Sequence, residues 1–78
     1  MSRQRLHEWV VAGGRISSGE LKDDTPLLEQ RVITSLQVMD LILFIESLTG
    51  RAVDAARLVP GAFRDIDSIA RNFLEVDR

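Results

Sequence analysis

The chain has 78 residues, 45% of them hydrophobic and 28% charged, with ten Lys plus Arg against twelve Asp plus Glu for a formal net charge of −2. That length leaves room for one hydrophobic core, so residues 1–78 are expected to form a single domain; the lack of cysteine excludes a disulfide framework, a thiolate zinc site and a cysteine nucleophile. A pI near 5.2 gives no basic excess for phosphate, which sets nucleic acid aside, and the longest apolar run, Leu41 to Ile45, is far short of the roughly 20 residues that span a bilayer.

From the N-terminus, Leu6, Trp9 and Val10 recur at three-to-four spacing, which predicts a short amphipathic helix from Ser2 to Ala12 that Gly13-Gly14 ends. Residues 15–33 form a long connection rich in turn chemistry, Ser17-Ser18-Gly19, Lys22-Asp23-Asp24 and Thr25-Pro26. Its aliphatic residues Leu28, Val32 and Ile33 are expected to pin it to the core. The strongest helix runs from Ser35 to Thr49. It is apolar on more than one face, so it is either the central helix of the fold or keeps a face for a partner, and Gly50 supplies a left-handed cap. Ala52 to Leu58 has the length of one or two turns, and Pro60-Gly61 signals a further turn. Asp65 is the expected N-cap of a last helix whose apolar positions are Ile66, Ile69, Ala70, Phe73 and Leu74. The fold class is therefore all-α, a bundle of three main helices plus one short helix with a long first loop.

The most informative residues open the strongest helix. In Thr34-Ser35-Leu36-Gln37 the Thr and Gln stand in capping-box register, with Ile33 and Val38 placed as the accompanying hydrophobic staple. Ser35 then occupies the first helical position, beside unpaired backbone N–H groups and the positive end of the helix dipole, where an attached phosphate is well tolerated.

The stretch Asp24-Thr25-Pro26-Leu27-Leu28-Glu29, followed by Val32-Ile33-Thr34-Ser35-Leu36 and Leu41 to Glu46, resembles the acyl carrier proteins and the related aminoacyl and peptidyl carriers. The likeness continues through Pro60-Gly61-Ala62-Phe63-Arg64-Asp65-Ile66 and covers about the last two-thirds of the chain. It implies an acyl-carrier-like four-helix bundle in which Ser35 carries 4′-phosphopantetheine, installed by a phosphopantetheinyl transferase, with Thr34 as the cap beside the attachment site. The thiol of that arm would hold acyl or aminoacyl groups as thioesters, loaded by a ligase or transferase and passed to downstream biosynthetic enzymes. By the same resemblance, partner contacts fall on Leu36, Met39, Asp40, Leu43 and Glu46. Two positions depart from the family pattern. Thr34 stands where the family has aspartate, and Arg31 or Val32, depending on register, replaces a glycine.

Residue chemistry adds further expectations. Leu36, Met39 and Leu43 share a helical face that is either core or partner-facing, while Asp40 and Glu46 read as solvated charges. His7, the single histidine, reads as a surface or helix-flank residue, Trp9 as a core anchor and Asp23-Asp24 as turn formers rather than a cation site. A helix-turn-helix reader is disfavoured because no Lys or Arg occurs from Val32 to Gly50. Catalysis by the bare chain is disfavoured because Ser35 has no evident activator. The expected protein is a monomeric, free-standing, bacterial cytoplasmic carrier in polyketide, nonribosomal peptide or other secondary-metabolite synthesis. A cofactor-free helical interaction adaptor is the alternative.

Overall fold

The computed structural model describes residues 2–59 and 61–75. Among them there are three helical elements, a single 3-10 turn and no strand. Helix α1 spans Ser2–Ala12, α2 spans Ser35–Thr49, and α3 spans Ile66–Ile69, continued by a π-helical turn at Ala70–Leu74.

The first two helices follow the sequence reading to the residue. Helix α1 turns Leu6 and Val10 into the core and leaves Trp9 half-buried, its ring stacked on Phe44 of α2 with centroids 5.7 Å apart. The chain leaves α1 through Gly14 at φ 83°, a left-handed conformation that a side chain would oppose. Helix α2 opens on the capping box: the Gln37 N–H donates to Thr34 Oγ1 at 3.2 Å, and the Thr34 N–H donates to Gln37 Oε1 at 2.8 Å. It closes at Gly50, φ 71°, whose N–H donates to the Glu46 carbonyl at 2.8 Å.

The C-terminal third holds less regular α-helix than the sequence predicts. Between Ala52 and Leu58 only Ala55–Arg57 is helical, one 3-10 turn capped by Asp54, whose Oδ1 accepts the Ala56 N–H at 3.0 Å. That turn buries none of its residues, so no packing holds a longer helix there. Of the expected Pro60-Gly61 turn, Pro60 lies outside the described residues, and Gly61 has φ 90°. Asp65 caps α3 as expected, its buried carboxylate accepting the Ser68 N–H at 2.7 Å. The helix then widens, and the Glu75 N–H reaches the Ala70 carbonyl at 2.7 Å, a five-residue step. Ile69, Ala70 and Phe73 still face inward through the wider turn, and Phe73 stacks on Phe63 with centroids 5.2 Å apart.

The long connection is part of the core. Leu21, Leu27, Val32 and Ile33 are buried with Leu6, Leu41, Ile45, Ile66 and Ile69, whereas Leu28, expected inside, is 41% exposed. Hydrogen bonding explains which of the adjacent leucines goes in. From Pro26 the chain makes a helical turn, with the Gln30 N–H donating to the Pro26 carbonyl at 3.0 Å. The turn closes with the Arg31 N–H on Leu28 O at 3.1 Å and the Val32 N–H on Leu27 O at 2.8 Å. These are the two bonds of a Schellman motif, and Arg31, at φ 58°, holds the left-handed position that glycine usually takes. The motif brings Val32 back over Leu27, burying both. Two backbone bonds then join the connection to the start of α3: the Leu27 N–H donates to Arg64 O at 2.7 Å, and the Asp67 N–H donates to Asp23 O at 2.9 Å.

An ionic clasp ties α1 to the other end of the chain. The Arg3 guanidinium meets Glu75 at 2.6 and 3.1 Å, Asp23 at 2.9 Å and Asp67 at 3.0 Å. Its hydrogen bonds to Glu75 and then Asp67 hold Arg3 further above its ordinary pKa, and the bond from Arg3 holds the Glu75 carboxyl below the usual range. The radius of gyration, 11.5 Å, equals the roughly 11.5 Å typical of a folded chain of this length. No helix is long and apolar enough to cross a membrane among the described residues.

Candidate functional site

The capping box places Ser35 as the first residue of α2, exposed to solvent. Because Thr34 Oγ1 is committed to the Gln37 N–H, the N–H groups of Ser35 and Leu36 remain among those that a helix start leaves without an intrahelical partner. The first turn of α2 carries no acidic side chain. An anion bonded to Ser35 Oγ would therefore sit at the positive end of a 15-residue helix with no carboxylate in that turn to oppose it.

Ser35 also stands on the wall of a groove of about 460 Å³ lined by Pro26, Leu28, Glu29, Val38, Val59, Gly61, Phe63 and Arg64. Three chain segments meet there: the Schellman turn of the connection, the start of α2 and the segment leading into α3. Leu28 is half in and half out because it forms one side of this groove, and Val59, 52% exposed, lies on its lining. The Leu27 to Arg64 backbone bond holds two of the walls at fixed separation. Two other clefts are smaller, one of about 230 Å³ beside Trp9 and Gln37 and one of about 130 Å³ beside Thr49 and Arg57.

The residues singled out on α2 divide into two groups. Leu36, Met39 and Leu43 are 83%, 65% and 64% exposed, so the question of core or surface resolves to surface for all three. They form a row one to two turns long that runs from beside Ser35 down α2, with Asp40 exposed alongside. The core side of the helix rests on Leu41 and Ile45. Glu46, expected as a solvated charge, is half-buried, and its carboxylate accepts the Val53 N–H at 2.9 Å, fixing the chain after the Gly50 cap.

Comparison of the chain with models of known protein families, with characterised proteins and with solved structures finds no match. His7 is half-buried with Nε2 3.3 Å from the Leu21 carbonyl, and Asp23 is engaged by Arg3. Among the described residues no three His, Cys, Asp or Glu side chains gather as a metal site. What the sequence reading lacked is the groove. Pro26, Val59, Gly61 and Arg64 carry no local signal of a site, and only the tertiary pairing of Leu27 with Arg64 brings them beside Ser35.

Proposed function

We propose that this chain is an acyl-carrier-like domain that holds an acyl or aminoacyl group on 4′-phosphopantetheine attached to Ser35 and presents it to partner enzymes. The observation that carries the reading is the placement of Ser35: exposed, first in a capped helix, on the wall of an apolar groove and at the head of an exposed apolar row.

Each feature suits one demand of a carrier. The exposed hydroxyl is open to an incoming transferase, and the phosphodiester that would form has the N–H groups at the start of α2 next to it. The bound arm supplies a thiol for thioester chemistry, which the chain, having no cysteine, does not supply itself. Leu36, Met39 and Leu43 give a partner enzyme an apolar surface beside the attachment point, and Asp40 adds an exposed carboxylate next to them on α2. The exchange of the family's aspartate for Thr34 keeps the cap while removing one negative charge, so recognition by a transferase rests more on apolar contact. A cytoplasmic location and a role in polyketide, nonribosomal peptide or other secondary-metabolite synthesis go with this proposal.

The exposed row would serve a cofactor-free adaptor equally well, which makes modification the discriminating property. Incubation with a phosphopantetheinyl transferase and coenzyme A, followed by intact-mass measurement, should show one addition to the wild-type chain and none to Ser35→Ala, with the same helical circular dichroism. An unmodified wild type with several transferases would favour the adaptor.

A further inference from the structure

The seam between the long connection and the start of α3 is closed by two backbone bonds, from the Asp67 N–H to Asp23 O at 2.9 Å and from the Leu27 N–H to Arg64 O at 2.7 Å. At the first of them the side chains oppose the backbone. Asp23 Oδ2 and Asp67 Oδ1 lie 2.9 and 3.0 Å from one nitrogen, Arg3 Nη1, so the two carboxylates stand less than about 6 Å apart, within the range where like charges repel. Arg71 meets the other oxygen of Asp67 at 2.9 Å, and Glu75 holds Arg3 Nε at 2.6 Å. One guanidinium, delivered by the first turn of α1, thus stands between two acids on opposite sides of the seam.

We infer that Arg3 is a latch: bonded to both acids it keeps the connection against α3, and once displaced it leaves Asp23 and Asp67 to push the seam open. Exposed ion pairs taken one at a time contribute little. Here the loss of one cation removes attraction and uncovers repulsion together. The Asp23 and Asp67 side chains are 55% and 38% exposed, so water enters as they separate and no closed core has to be broken. Opening there passes to the next bond of the seam, Leu27 to Arg64, which holds two walls of the groove beside Ser35. The separation of those walls is thereby controlled from α1, by a residue that lines no part of the groove. The latch belongs to the fold and acts whether or not Ser35 is modified.

Amide hydrogen exchange of the full chain tests the latch at the two bonds themselves. In Arg3→Met the Asp67 and Leu27 amides should exchange about five- to tenfold faster than in the wild type, while the Ile45 amide in α2 changes by less than about twofold. Adding Asp23→Asn removes one of the repelling charges and should bring both amides back towards the wild-type rate, a rescue that loss of Arg3 packing alone would not give. Should Arg3→Met fail to fold, the double variant decides: it should regain the fold with slow exchange at both amides, and its failure as well would overturn the latch. Unchanged rates at Asp67 and Leu27 in Arg3→Met, acceleration shared equally by Ile45, or no rescue by Asp23→Asn would each overturn it too.

Discussion

Two residues decide how the candidate site is presented. Thr34 spends its hydroxyl on the Gln37 N–H, and removing it leaves a backbone donor of α2 without that partner. Thr34→Ala should therefore cost about 1 kcal/mol in denaturant unfolding; an unchanged midpoint would show that the capping box contributes nothing. Arg31 is the converse case, a side chain in a left-handed conformation where glycine carries no Cβ penalty. Arg31→Gly should stabilise by about 0.5–1 kcal/mol, the relief of backbone strain exceeding the extra entropy of an unfolded glycine, whereas β-branched Arg31→Val should destabilise. Equal stabilities of the wild type and the two variants would contradict the strain. Thr34 was legible in the sequence because a capping box is a local pattern. The Schellman turn at Pro26 to Val32 was not, since its usual marker is a glycine and Arg31 stands there instead.

At the scale of elements, α2 shows what hydrophobic patterning can and cannot settle. Its ends, Thr34 and Gly50, follow from local chemistry. Its orientation does not, because a helix apolar nearly all round has several faces to choose from and the choice is made by what packs on it. Helix α1 supplies Trp9 against Phe44, and the core side settles on Leu41 and Ile45, leaving Leu36, Met39 and Leu43 outside. Replacing those three singly by serine should change stability by no more than about 0.5 kcal/mol each, while Leu41→Ala should cost about 2–5 kcal/mol. If Met39→Ser destabilised as strongly as Leu41→Ala, the exposed row would be core. The adjacent leucines of the connection were ambiguous for a similar reason: the Schellman bond from Val32 and the bond from Leu27 to Arg64 together determine that Leu27 enters the core and Leu28 lines the groove. The π turn at Ala70–Leu74 gave no local signal, since inward-facing Ile69, Ala70 and Phe73 fit an ordinary helix as well.

For the molecule as a whole, a small domain without disulfides closes its fold by drawing the long connection into the core and clasping its ends through Arg3. All-helical character, the single core and the position of Ser35 could be read from sequence. The clasp and the groove join residues far apart in the chain, and no local pattern announces them. Because Arg3 depresses the Glu75 pKa, this pair contributes stability that is present above the ordinary glutamate value of about 4.3 and is lost as pH falls through the lowered value. Thermal unfolding of the wild type and Glu75→Gln should differ at neutral pH and converge in acid, with the neutral difference shrinking in high salt. A gap that persisted in acid would place the effect of Glu75 outside its charge.

The central claim, that Ser35 is an attachment point, is tested most directly by peptide-level mass spectrometry of the chain after reaction with a phosphopantetheinyl transferase and coenzyme A. The account predicts a single phosphopantetheine addition located on Ser35. An addition on Ser17, Ser18, Ser47 or Ser68, or none with any transferase tried, would contradict it.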